Sequence, residues 1–151
     1  MYVLRISTKG RYALAAMTLM AQKADSEEIF PVLKISEALG VSKIYLEQVF
    51  SLLKRDGLVN SIKGAQGGYQ LSRPAEEISV YDILSVAELS MFEKTEESVK
   101  EKAPDIESAM SELVFDRIDA VLAEILKEIS LADLAKHAND YGLNGEYMFF
   151  I

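Results

Sequence analysis

Ser42, Lys43, Glu47 and Gln48 open one apolar-patterned stretch that runs from Ser42 to Asp56. Their chemistry is base-edge recognition. A glutamine bonds adenine in a bidentate manner, a glutamate accepts from cytosine N4, and a lysine reaches a phosphate. Side chains with that task sit near the N-terminal end of a helix laid in the DNA major groove. Tyr45 lies among them, while Leu46 and Val49 belong by spacing to the core side. Glu47 also stands four residues after Lys43. A surface ion pair, in the less favourable order of charges, is therefore the other reading of its carboxylate.

Two further basic groups extend the same chemistry. Lys9 and Arg11 fall in the first turn of a helix capped by Ser7 or Thr8. Cations oppose the helix dipole at that end, and a bound phosphate would relieve the mismatch. Two solvated cations that cost little are the other reading. Lys63 and Gln66 lie in a glycine-rich loop, Lys63-Gly64-Ala65-Gln66-Gly67-Gly68. That loop leads into Tyr69-Gln70-Leu71, a strand, whereas a nucleotide-binding loop of this composition needs Gly-Lys-Ser/Thr leading into a helix.

The elements that must position these groups are legible from period and punctuation. Pro31 fits the first position of a short helix with Val32, Ile35 and Leu39 on one face. Gly40-Val41 form a turn, and Ser42 caps the next helix, which Gly57 ends. Leu58-Val59 open a strand and Tyr69-Gln70-Leu71 return it, with Ile29-Phe30 adding a third short piece. Helix, turn, helix and hairpin in that order predict a winged helix. Ser79 caps a further helix carrying Val80, Ile83, Leu84 and Ala87.

Residues 88–104 are acidic and irregular. From Asp105 to Ser130 apolar residues recur at spacings of three and four over about six turns. A stripe this long exceeds what one small domain can cover, so pairing with a second copy is expected. Packing against the first helix is the alternative. A short last helix, Leu131 to Ala138, then leads through Asn139-Asp140-Tyr141-Gly142 into a tail. The predicted organisation is a winged helix-turn-helix over 1–87, a linker over 88–104, a dimerisation helix and short terminal helix over 105–139, and a tail over 140–151. The fold class is mostly α with a small β-hairpin wing.

Composition narrows the function. The chain has 151 residues, no cysteine and one histidine, His137. Disulfides, thiolate metal sites and a cysteine nucleophile are excluded, and a protein-only zinc or haem site is not expected. No Ser/His/Asp constellation supports an enzyme, and His137 reads as a surface residue at a helix C-terminus. No apolar run is long enough to span a membrane and no leader opens the chain, so a cytoplasmic protein is expected. The net charge is −8, yet residues 1–73 hold ten Lys and Arg against six Asp and Glu. The remainder holds six against eighteen. A basic half and an acidic half have different tasks.

Several motifs together resemble the Rrf2 family of bacterial transcription regulators. They are Ser7-Thr8-Lys9-Gly10-Arg11-Tyr12-Ala13-Leu14, Tyr45-Leu46-Glu47-Gln48, Gly57-Leu58-Val59, Lys63-Gly64 and Gly67-Gly68-Tyr69. The resemblance covers residues 5–87 closely and the long helix loosely. It implies a dimeric winged-helix repressor on dyad operators, with Glu47 reading bases. Lys63 stands where an arginine is common in the family at the minor groove. A lysine lacks the planar fork, which weakens narrow-groove reading.

Many members of that family hold an iron–sulfur cluster through three cysteines before the long helix. This chain has none, so no cofactor is carried over. The closing run Tyr147, Met148, Phe149, Phe150 and Ile151 resembles that of a clusterless family member that represses cysteine-metabolism genes with cysteine synthase. The resemblance implies cysteine synthase as a partner, captured through an apolar tail and terminal carboxylate. A tail folded onto its own dimer is the alternative. An interaction adaptor on a winged-helix scaffold and a clusterless small-molecule sensor are the competing functions.

Overall fold

The structure, a computed structural model, describes residues 6–23, 28–65 and 67–149, with side chains at 89–90 and 143–149 left out. Seven helices and one hairpin follow in order among them. They are α1 (Thr8–Ala21), α2 (Val32–Leu39), α3 (Lys43–Arg55), β1 (Val59–Ile62), β2 (Gly68–Leu71), α4 (Val80–Ala87), α5 (Pro104–Met110), α6 (Asp116–Glu128) and α7 (Leu131–Phe149). A π-helical turn, Ser111–Phe115, joins α5 to α6, so residues 104–128 form one continuous helical arm.

The core begins with α1. Ala13, Ala16, Met17 and Met20 recur at helical spacing and are fully buried or nearly so. They meet Leu46, Val49, Phe50 and Leu53 of α3 and Ile83 of α4 in one apolar cluster. A second cluster joins Val80 and Leu84 of α4 to Leu126 of α6, with Tyr81, Phe92 and Leu122 against it. The arm is thus fastened to the body through α4 rather than through α1.

Serines start the helices as their positions predict. Ser7 accepts from the Gly10 N–H at 3.1 Å and Ser42 from the Tyr45 N–H at 3.4 Å. Ser79 and Asp82 cap α4 reciprocally. Pro31 is the residue before α2 rather than its first, because its carbonyl accepts from Lys34 and Ile35 N–H. At the end of α3, Leu58 N–H bonds Leu53 carbonyl at 2.9 Å, which closes the helix and turns the chain into the wing.

β1 and β2 pair antiparallel, Val59 opposite Leu71 and Ile62 opposite Gly68. Phe30 adds the expected third piece. Its N–H bonds Tyr69 carbonyl at 2.7 Å, and Tyr69 N–H bonds Phe30 carbonyl at 2.9 Å. A Cβ on Gly68 would meet the Phe30 carbonyl oxygen at 2.4 Å, so this close approach requires glycine.

The C-terminal part differs from expectation. The last helix does not stop at Ala138 but runs through Asn139 and Gly142 to Phe149. Asn139, which favours a turn when its side chain bonds its own backbone, instead accepts from Nε2 of Gln22, the residue after α1, at 3.0 Å. Packing on α1 carries the helix past a turn-like sequence. His137 consequently lies inside α7 and exposed, not at a helix end. No helix among the described residues is long and apolar enough to cross a membrane.

Candidate nucleic-acid interface

Helix α3 divides cleanly. Leu46, Val49, Phe50 and Leu53 are buried, while Ser42, Lys43, Glu47 and Gln48 are exposed. The four polar residues named from sequence therefore share the open N-terminal side of the helix. Lys43 Nζ lies 3.7 Å from Glu47 Oε1. This ion pair is the alternative reading of Glu47, and it does not remove the carboxylate from solvent, since both side chains are 53% exposed. An exposed pair of this kind contributes about 0.3–0.5 kcal/mol and yields readily to a better partner.

Tyr45 behaves differently from its neighbours. It is half-buried, and its ring meets Tyr12 of α1 edge to face with centroids 5.2 Å apart. It locks α3 against α1 and lines a cleft of about 530 Å³ together with Thr8, Lys9 and Leu52. Ile44, in the first turn of α3, is 71% exposed. An apolar group there suits the thymine methyl. The signal for it was available: Ile44 falls outside the spacing of Leu46, Val49 and Leu53.

Around this helix the other cations are distributed on separate elements. Lys63 is exposed at the end of β1, on the wing. Arg11 is exposed and bonds Thr8 Oγ1 at 3.0 Å, and Lys9, two residues earlier, is half-buried. The wing glutamine, Gln66, lies outside the described residues. So do Phe150 and Ile151, and the side chains of Tyr147, Met148 and Phe149 at the end of α7. Arg73 serves the fold instead, bonding Asp82 at 3.1 Å and the Glu77 carbonyl.

Two buried carboxylates were not anticipated. Glu88 is 6% exposed and accepts from the Ser7 N–H and hydroxyl. Glu107 is 5% exposed and accepts from the Ser98 and Val99 N–H groups. Helical spacing offered no signal for the first, since Glu88 is the residue after α4 and its partner, Ser7, is 81 residues away.

Comparison with known proteins agrees with this geometry. A family model described as "Rrf2: Iron-dependent Transcriptional regulator" matches residues 6–137. The HTH-type transcriptional regulator IscR of Xenorhabdus nematophila is 34% identical over 134 residues, 89% of this chain and 80% of that protein. Among solved structures, CymR, the global cysteine regulator of B. subtilis, superposes with a TM-score of 0.69 at 37% identity. It covers 89% of this chain and 98% of that one. T. potens IscR gives a TM-score of 0.68 at 38% identity, covering 89% and 88%.

The family's description names iron, and an iron–sulfur cluster needs thiolate donors. The chain has no cysteine, and the segment before α5 offers hydroxyl and carboxylate oxygens, lysine amines and the Met91 thioether, but no thiolate. Among the described residues no three His, Cys, Asp or Glu side chains converge. Hard oxygen donors do not replace the thiolates of an iron–sulfur cluster, so that group does not fit this chain. The match over 6–137, the winged-helix neighbours and the exposed polar face of α3 lead to one conclusion: this chain belongs to the Rrf2 family of transcriptional regulators.

Proposed function

We propose that the chain is a homodimeric, sequence-specific DNA-binding repressor that acts on dyad operators without a cofactor of its own. The observation that carries this is the row of exposed Ser42, Lys43, Glu47 and Gln48 on a helix whose other face is fully packed. In this reading Glu47 and Gln48 read base edges, with Ile44 against a thymine methyl. Lys9, Arg11 and Lys43 hold phosphates, which position the protein without specifying sequence. Lys63, with Gln66 beside it, enters the minor groove from the wing.

The dimer follows from the arm. Leu113, Ile118, Val121 and Ile125 are each half or more exposed. An apolar face of this length is unfavourable in water unless another surface covers it, and a second copy supplies an identical face by two-fold symmetry. Two recognition helices then meet half-sites spaced by roughly 34–36 Å or a multiple.

The 37% identity to a global cysteine regulator supports a role in cysteine metabolism. Cysteine synthase, bound through Tyr147 to Ile151, is the proposed co-regulator. Selection of operators from a random duplex library, followed by binding between 50 and 200 mM salt, tests DNA recognition. Failure to enrich any sequence would overturn it. Capture of cysteine synthase by the full chain, and its loss on removing Met148 to Ile151, tests the partner.

A further inference from the structure

Glu88 is a buried carboxylate placed against the DNA-facing end of α1, although it belongs to the residue after α4. Its Oε2 accepts from the Ser7 N–H at 2.9 Å and from the Ser7 hydroxyl at 2.6 Å. That hydroxyl in turn accepts from the Gly10 N–H, as the N-cap of α1. The capping oxygen is therefore held in one orientation by a donor bond to Glu88. Gly10 completes the arrangement: a Cβ there would sit 2.4 Å from the same Oε2 and 2.9 Å from Ile6. The glycine leaves the space that the carboxylate fills.

Charge explains why a carboxylate stands there. The first turn of α1 contains no acidic residue. It carries Lys9 and Arg11 instead, and the N-terminal end of a helix favours a negative group. Glu88 supplies that charge from a residue 81 positions away. Glu88 and Lys9 line the same cleft beside this turn.

We propose that Glu88 is a positioning residue for DNA binding. By fixing Ser7 as the cap, it sets the first turn of α1, from which Lys9 and Arg11 reach the phosphate backbone. The proposal rests on the DNA-binding reading above. Without Glu88 the cap loses its orientation and the turn frays, so both cations lose a fixed distance to the duplex.

The test uses the full chain and a selected operator, with binding measured between 50 and 200 mM salt. Glu88→Ala is expected to weaken binding about tenfold and to make the salt slope shallower by roughly 1–2, the share of two phosphate contacts. On that background Lys9→Ala is expected to add little, because the two act as one unit. Glu88→Gln retains an oxygen that accepts both bonds, and is expected to restore the slope. A lowered Tm with the wild-type slope, and an additive loss from Lys9→Ala, would overturn the proposal. Should Glu88→Ala not fold, Ser7→Gly removes the hydroxyl bridge and keeps a tolerated cap. A wild-type slope in Ser7→Gly would also overturn it. Absence of salt-dependent binding by the wild type marks failure of the DNA-binding reading itself.

Discussion

Phe50 of the recognition helix stacks on Tyr69 of the returning wing strand, with ring centroids 4.6 Å apart and planes 17° from parallel. Tyr69 is also tied through both backbone groups to Phe30. The wing is thus held to α3 by this stack, beside the packing of Val59 and Leu71 in the same core, and to the segment before α2 by a two-bond bridge. This fixes the wing relative to the helix it must accompany. Phe50 is fully buried, so Phe50→Ala is expected to lower unfolding stability by about 3–5 kcal/mol in urea denaturation. A loss under about 1 kcal/mol would remove the stack from the core.

The wing lysine makes the next test. Lys63→Ala is expected to weaken operator binding nearly equally across sequences and to reduce the salt slope by about 1. In a Tyr69→Ala background the same change should matter less, since the wing is no longer held. A slope that stays put after Lys63→Ala would take this residue off the DNA.

Glu47 has two partners open to it, and they predict different losses. If it served only Lys43, at 3.7 Å and half exposed, removing it would shift stability by about 0.5 kcal/mol or less and leave sequence preference intact. Base reading predicts the reverse. Glu47→Ala should keep its Tm and relax the preference at one base pair in each half-site. Equal weakening on selected and random DNA would refute base reading.

Local pattern reached the caps and the division of α3, because those depend on neighbours within a turn. Ser7, Ser42 and Ser79 cap as their spacing predicts, and Leu46 and Val49 lie inside. What pattern missed depends on distant partners. Glu88 reads as a surface charge until Ser7 is placed beside it. Asn139 reads as a turn until Gln22, 117 residues away, engages its side chain. The apolar stripe of the arm was visible, but not its division: Leu122, Leu126 and Ile129 turn toward α4, while Ile118, Val121 and Ile125 do not.

Acidity should act on the start of α7. Ser130 N–H bonds Asp133 Oδ2 at 2.9 Å, and Asp133 N–H bonds the Ser130 hydroxyl oxygen at 3.0 Å. The Ser130 backbone bond, then its hydroxyl and the Lys136 charge, hold the Asp133 carboxyl below its ordinary range. A carboxylate depressed in the folded state stabilises it at pH above the unfolded carboxylate value. That contribution is lost as pH falls through the folded value. The Tm gap between wild type and Asp133→Ala should therefore be widest near neutrality and narrow on acidification. A gap independent of pH would show that the charge has no part in the cap.

The arm supplies the most decisive test, because its exposed side chains bear little on the folding of one chain. Val121 is 55% exposed and is flanked on the same face by Ile118 and Ile125. In a two-fold pair, Val121→Asp places two like charges in an apolar contact, while in a monomer it places one charge in water. Circular dichroism and Tm should change little, and sedimentation at micromolar concentration should show a monomer. Operator affinity should then fall roughly hundredfold or more, since the second half-site no longer binds within one molecule. A dimer that survived the substitution would place the two-fold elsewhere. The face of α6 would then belong to a different partner, and the half-site spacing expected from a paired arm would have to be abandoned.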